Sequence, residues 1–136
     1  MVDPESVEER LERLTELLEE GERIREAGRD AYDADFRNRL AAQHAIQLSI
    51  QICIDVAAHL IAEVGPRMPA DYRGVFDVLR PEGLDDELAK RLADAAGMRN
   101  VLVHGYLEVD DEIVWKALGH LDDLREFAAF AQSQLG

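Results

Sequence analysis

Cysteine, lysine and long apolar runs are all scarce in this sequence of 136 residues. A single cysteine, Cys53, excludes an internal disulfide framework and a multi-cysteine zinc site. The first residues are acidic and contain no apolar segment, so we predict neither a signal peptide nor a transit peptide. No apolar run approaches the roughly 20 residues of a membrane-spanning helix. These absences together predict a cytoplasmic protein that makes no contact with a membrane.

Acidic residues outnumber basic residues by 29 to 15, which gives a formal net charge of −14. Such a surface repels phosphate backbones, which excludes a broad nucleic-acid-binding patch and confines any nucleic-acid chemistry to a local site. The basic residues comprise 13 Arg and two Lys. An acidic surface with little lysine fits a protein that works in high salt; a GC-rich genome would produce the same arginine bias.

Length and apolar content predict one folded domain over residues 1–136. Most of the chain shows apolar residues at steps of three and four, the pattern of helices that pack against a core. The predicted helices, with approximate bounds, are 5–27, 36–64, 72–79, 85–104 and 110–135. Asp3, Asp71 and Asp85 are the predicted caps of the first, third and fourth helices, and the apolar stripe of the first is Val7, Leu11, Leu14 and Leu18. The sum is an all-α bundle of four long helices and one short helix.

Residues 36–64 fit two different patterns. Apolar side chains alternate between Ile46 and Val56, as in a strand, and a second apolar set from Ile46 onward steps by three and four, as in a helix. The pattern continues far beyond the roughly 4–8 residues of a strand, so length favours a helix. A helix with two apolar faces is the central member of a bundle, and Gly65-Pro66 is its predicted end.

The densest group of polar residues in an apolar setting is Met98–Tyr106, which contains Arg99, Asn100 and His104. Arginine holds a phosphate through a permanent, forked charge. Histidine exchanges protons near neutral pH. Together they could cleave RNA without a metal: histidine moves the proton of the ribose 2′-OH or of the leaving oxygen, and arginine stabilises the charge on the phosphate. DNA lacks the 2′-OH and would not be cleaved.

Helical geometry leaves a structural alternative open. Arg99 and His104 lie about 140° apart on a straight helix, whereas Asn100 and His104 share a face. A helix end at Gly105, or a symmetric dimer, could bring the first pair together. In the structural alternative, Arg99 caps carbonyl groups, Asn100 and His104 form local hydrogen bonds, and Tyr106 anchors a turn. Spacing alone favours this alternative.

The spacing R-x4-H-x-Y resembles the signature of the HEPN superfamily and, within it, of the HepT-like toxins. Segments outside the motif are similar to that family as well, so that the resemblance extends over residues 36–130. These segments are residues 39–47, residues 54–61, Pro69–Tyr72 with Val75, Phe76 and Leu79, Val109–Asp110, Trp115, and Leu121–Leu124 with Phe127.

The resemblance implies a HEPN-like, all-α homodimer that acts as a metal-independent endoribonuclease toxin of a type VII toxin–antitoxin system. It implies that Arg99 and His104 form the catalytic pair, with Asn100 in support, that the substrate is tRNA or mRNA, and that no cofactor is needed. The implied partner is a minimal nucleotidyltransferase antitoxin, which silences such toxins by transferring AMP from ATP to the motif tyrosine, here Tyr106.

The wider HEPN group also includes helical domains that accompany nucleotidyltransferases and bind nucleotides or a partner without catalysis. On this alternative, Tyr106 is chiefly an acceptor for adenylylation, and the unmodified protein does not cleave RNA. The sequence retains Arg99, Asn100, His104 and Tyr106 together, which favours the ribonuclease.

Asp55 and His59 lie four residues apart on the central helix, followed on the same stripe by Glu63. They could bind a metal, or support His104 from a second layer. Two or three ligands on one helix do not close a metal site, so we predict no metal and favour a buried Asp55–His59 hydrogen bond. The remaining predictions are a helix-face position, not a ligand role, for His44, a position facing solvent or a neighbouring helix for His120, a buried Cys53, and core or dimer-interface positions for Trp115 and Phe127.

Overall fold

The structure is a computed structural model that describes residues 3–64 and 68–135. Seven α-helices surround one apolar core, and two short 3-10 turns lie beside α4, at Tyr72–Gly74 and Arg80–Glu82. The helices are α1 (Pro4–Glu26), α2 (Arg29–Ala34), α3 (Phe36–Val64), α4 (Val75–Val78), α5 (Asp86–His104), α6 (Asp111–Leu118) and α7 (Leu121–Gln134). The described residues contain no strand, so the all-α prediction is confirmed.

The cap and the buried face of helix α1 agree with the sequence prediction. The Asp3 side chain accepts hydrogen bonds from the backbone N–H groups of Glu5 and Ser6, and Pro4 occupies the first helical position. The apolar stripe of α1 is buried and packs along α3. Its predicted members are Val7, Leu11, Leu14 and Leu18, and the structure adds Gly21 and Ile24.

Helix α3 is the predicted central helix, because it contacts α1, α2, α4, α5, α6 and α7. Both of its apolar faces are used, and Ile46, Ile54 and Val56 are almost completely buried. The predicted stop at Gly65-Pro66 lies outside the described residues. By length and composition alone α3 could cross a membrane, so the expectation that no segment approaches this limit is wrong; 56% of its most apolar window is buried inside the protein, as in the core helix of a bundle.

Residues 72–82, which precede α5, form a series of short turns rather than one continuous short helix. The predicted cap is present, since the Asp71 side chain accepts a hydrogen bond from the Gly74 N–H at 3.0 Å. The residues after it form a 3-10 turn and the single helical turn α4, not a continuous helix over 72–79. Phe76 projects from α4 into the core and meets Phe127 edge to face, with ring centroids 5.4 Å apart.

The predicted last helix is two helices, because its hydrogen-bond ladder is interrupted near Gly119. The Gly119 N–H bonds to the Lys116 carbonyl, three residues back, at 2.9 Å. The carbonyl of Trp115, which would accept that bond in a continuous helix, instead accepts one from Arg25 Nη1 at 3.1 Å. A side chain from α1 therefore takes the place of a helical bond.

Helix α2 was not predicted. It begins after Gly28, whose φ of 97° requires glycine, and it is held by one aromatic residue. Tyr32 is completely buried, its ring lies 5.0 Å from that of Trp115, and its hydroxyl donates to the Asp111 carbonyl at 2.8 Å. The small predicted bundle is thus correct in class, with one added short helix and one long helix divided.

Candidate active site

The polar motif occupies the last turns of α5. The helix starts at a predicted cap, where the Asp85 side chain accepts from the Leu88 N–H at 3.0 Å, and it ends at His104. The Gly105 N–H closes the last turn on the Val101 carbonyl at 2.7 Å. A Cβ on Gly105 would lie 2.8 Å from that same carbonyl oxygen, so the tight closure requires glycine. The helix stop predicted at Gly105 is confirmed.

Arg99 is half-buried and has an unusual set of partners. Its Nη1 donates to Asn100 Oδ1 at 2.9 Å, and its guanidinium carbon lies 5.4 Å from the centroid of the Tyr72 ring. Its Nε is buried and has no hydrogen-bond partner among the described residues. Within residues 3–64 and 68–135, no carboxylate forms an ion pair with Arg99. The positive charge of Arg99 is therefore not cancelled by a neighbouring acid.

His104 is exposed at the open end of α5. Because α5 is continuous from Arg99 to His104, the two backbone positions remain about 140° apart. The Arg99 guanidinium bonds to Asn100, whose backbone position lies on the same helix face as that of His104. In the structural alternative Arg99 would cap a backbone carbonyl; in the structure it donates to the Asn100 side chain instead.

The residues around His104 form an exposed apolar surface. Tyr106 is 73% exposed, Leu107 is 85% exposed and Val101 is 58% exposed. The structural alternative assigned Tyr106 the role of a turn anchor; in the structure Tyr106 lies largely in solvent. These three large side chains, Tyr106 included, are therefore accessible to solvent in the single chain.

Asp55 and His59 do not form the hydrogen bond that the sequence favoured. Asp55 Oδ1 accepts instead from Gln51 Nε2, one turn earlier on α3, at 2.8 Å. The other amide atom, Gln51 Oε1, is buried and has no partner among the described residues. No group of three His, Cys, Asp or Glu residues in the described ranges is arranged to hold a metal ion. Support of His104 by this pair stays a prediction.

The other candidate residues lie where the sequence placed them, as ordinary parts of the fold. Cys53 is completely buried, and burial raises the pKa of its thiol. His44 and His120 are exposed. Phe127 is a core residue. Trp115, on α6, is half-buried against α1 and α2, with the Arg25 guanidinium carbon 4.5 Å from its ring centroid.

An apolar groove of about 340 Å³ lies on another face of α5, between α3, α6 and α7. Ala95 and Met98 line it from α5, together with Ile46 and Ile50 from α3. None of the four motif residues borders it. The groove is therefore separate from the candidate site at the end of α5.

One residue of the candidate site was not identified as such from the sequence. Tyr72 lies on the 3-10 turn before α4, and its ring contacts the Arg99 guanidinium. An exposed aromatic residue directly after a capping aspartate is a weak signal by itself. The contact joins residues that are distant along the chain, so no periodicity reveals it.

Three comparisons bear on what such a site does. A family model described as "Ribonuclease HepT-like" matches residues 7–131. The tRNA nuclease HepT of Aphanizomenon flos-aquae is 27% identical over 118 residues, which cover 86% of this chain and 80% of that protein. A putative RNase of Archaeoglobus fulgidus is 31% identical over 120 residues, which cover 88% of this chain and 90% of that protein.

The fold also matches a solved structure along almost its whole length. The tri-AMPylated HEPN toxin of Shewanella oneidensis, in complex with MNT antitoxin, aligns with a TM-score of 0.84 at 23% identity. The alignment covers 98% of this chain and 99% of that one. At this level of identity the likeness establishes the fold.

Proposed function

This chain belongs to the HepT-like ribonuclease family, and from that premise we propose that it is the toxin of a type VII toxin–antitoxin system. Its activity would be endonucleolytic cleavage of RNA without a metal ion. The observation that carries the proposal is the state of Arg99, a half-buried guanidinium with no carboxylate partner in the described residues, in the same motif as an exposed histidine. In such a pair the arginine can bind one phosphate group and the histidine can transfer a proton beside it.

The proposed reaction uses the 2′-hydroxyl of the RNA itself. The 2′-oxygen attacks the adjacent phosphorus, its proton passes to a base, and the bond from phosphorus to the 5′-oxygen breaks, which leaves a 2′,3′-cyclic phosphate. The 5′-oxygen takes a proton and departs as a hydroxyl. His104 serves as the base or as the acid in this exchange, and Arg99 stabilises the charge on the non-bridging phosphate oxygens. Asn100 supports Arg99 through their hydrogen bond.

A homodimer completes this proposal. Two copies paired about the end of α5 would cover Val101 and Leu107, which are open to water in one chain, and would leave Tyr106 accessible. The same pairing would bring two His104 side chains to one cleft, so that one acts as base and the other as acid. We propose residues 1–136 as one domain acting in the cytoplasm, where RNA and ATP meet; the family match over 7–131 supports the single domain.

We further propose that a minimal nucleotidyltransferase is the antitoxin. It would move the adenylyl group of ATP to the Tyr106 oxygen, releasing pyrophosphate and the phenolic proton. Tyr106 is suited to this because its side chain is 73% exposed. An adenylate two residues from His104 adds a negative charge that repels the phosphate of RNA.

The test is cleavage of labelled tRNA and mRNA in EDTA. We expect the wild-type protein to produce 2′,3′-cyclic ends, and Arg99→Ala and His104→Ala to lose cleavage while keeping the helical circular dichroism spectrum. His120→Ala is the matched control, since it removes an exposed histidine at the α6–α7 junction and should cleave like wild type. Cleavage by His104→Ala at the wild-type rate would refute the mechanism.

A folded, unmodified protein that cleaves no RNA would favour the non-catalytic binding subunit instead. Intact mass decides whether the protein is unmodified, because one adenylyl group adds a defined mass. Incubation with the nucleotidyltransferase and ATP should add that mass to the wild-type protein and not to Tyr106→Phe.

A further inference from the structure

The Arg99 guanidinium is held by groups that leave its charge intact. A carboxylate at that place would neutralise the charge that a phosphate needs. The Asn100 amide is neutral, and the Tyr72 ring, 5.4 Å from the guanidinium carbon, attracts a cation through the negative face of its π-system. Nε points into a buried position without a partner, so the ring and the amide are the contacts that fix the group.

The turn that carries Tyr72 is fixed to α5 at a second point. Arg73, the next residue, donates from Nη2 to Asp94 Oδ1 at 3.0 Å, one turn before the motif. Its guanidinium lies directly over Gly97, where any Cβ would overlap Nη1. The absence of a side chain at Gly97 therefore lets the turn approach the helix closely.

The other side of the same turn is tied to the core. Asp71 closes the turn through its bond to the Gly74 N–H, and the two residues that follow, Val75 and Phe76, are fully buried. A segment held both by α5 and by the core has little freedom to move Tyr72. The ring is consequently a fixed surface against which the long, flexible side chain of Arg99 is placed.

We propose that Tyr72 is a positioning residue, which orders the Arg99 guanidinium toward the face of Asn100 and His104 without reducing its charge. The inference rests on the proposed ribonuclease function, in which Arg99 stabilises the transition state. The ring, not the hydroxyl, performs this role, because the guanidinium contacts the face of the ring. Tyr72 itself touches no substrate in this proposal.

The test compares Tyr72→Phe, which keeps the ring, with Tyr72→Leu, which removes it. We expect Tyr72→Phe to cleave RNA within about twofold of wild type and Tyr72→Leu to lose about tenfold in kcat, with a smaller change in KM. Phe36→Leu is the matched control, because it removes a ring that also contacts an arginine. The Phe36 ring centroid lies 5.5 Å from the guanidinium carbon of Arg39, at the start of α3. It should leave kcat unchanged.

A second measurement separates this inference from the proposed function. The Nε–H signal of Arg99 in an NMR spectrum of 15N-arginine-labelled protein should be ring-shifted and protected from exchange in wild type and Tyr72→Phe. Both features should be lost in Tyr72→Leu. If the wild-type protein does not cut RNA, the proposed function fails and this signal still decides whether Tyr72 orders Arg99.

Three results would overturn the inference. The first is an unchanged Arg99 signal in Tyr72→Leu, and the second is cleavage by that variant at the wild-type rate. The third is an equal loss of cleavage in Tyr72→Phe and Tyr72→Leu, which would assign the effect to the hydroxyl.

Discussion

Gly97 lies in the interior of α5, directly beneath the guanidinium of Arg73. Replacing it with alanine changes two terms of opposite sign. Alanine favours a helix interior over glycine by about 0.8–1.0 kcal/mol. The new Cβ must displace Arg73, which loses its ion pair with Asp94, and an exposed pair of this kind contributes about 0.2–1 kcal/mol. We therefore expect Gly97→Ala to change the free energy of unfolding by less than about 1 kcal/mol.

A double-mutant cycle isolates the two terms. The atoms that a Cβ on Gly97 would meet within 4 Å all belong to Arg73. In an Arg73→Ala background, Gly97→Ala should therefore raise the free energy of unfolding by the whole difference in helix propensity, about 1 kcal/mol. Urea denaturation followed by circular dichroism at 222 nm measures this change. A loss above about 2 kcal/mol in both backgrounds would refute the reasoning, because it would mean that backbone, and not a flexible side chain, limits the space.

Other expectations concern the core, a cap and a buried hydroxyl. Phe127→Ala should lower the free energy of unfolding by about 3–5 kcal/mol in urea, whereas Phe36→Ala, with 62% of Phe36 exposed, should change it little; equal losses would contradict the burial. Asp85→Ala should lower the free energy of unfolding by about 1 kcal/mol in the same assay, because the Leu88 N–H loses its acceptor. Asp85→Asn keeps a side-chain acceptor and should retain most of that stability. Burial, followed by the nearby Asp111, raises the pKa of Tyr32 from 10.0 to about 12. As the pH rises, the Tyr32 hydroxyl loses its proton in the unfolded chain before it does so in the folded protein, so the free energy of unfolding should fall between pH 10 and about 12. Thermal unfolding across this range should show a smaller fall for Tyr32→Phe than for wild type.

Local and periodic features are the part of this fold that the sequence predicts. The stripe of α1 and the two apolar faces of α3 could be predicted because apolar residues recur at steps of three and four along each helix. Most of these residues are buried, and Val64, at the end of α3, is exposed. Caps were predicted for the same local reason: Asp3, Asp71 and Asp85 each bond to a backbone N–H within three residues.

Contacts between distant residues are the part that could not be predicted. The break between α6 and α7 depends on Arg25 of α1 reaching the Trp115 carbonyl, and no local signal marks that bond. Helix α2 is six residues long, too short for a periodic pattern, and depends on the burial of Tyr32. At the candidate site the sequence supplied Arg99 and His104, while the ring that holds Arg99 comes from another segment.

The net negative charge of the chain is consistent with the proposed cleavage of RNA, because salt screens repulsion between charges that lie far apart. A net charge of −14 repels RNA as a whole, but at 0.1 M salt that repulsion is screened beyond about 10 Å. Most of the other described arginines are paired with acids, as Arg91 is with Asp123 and Arg125 with Glu22, whereas Arg10 and Arg25 donate to Ser6 and to the Trp115 carbonyl. Arg99 has a ring and an amide in place of an acid. The acidic composition thus predicts no broad RNA-binding surface and is consistent with one local positive charge in the proposed site, which a negatively charged adenylate on Tyr106 would oppose.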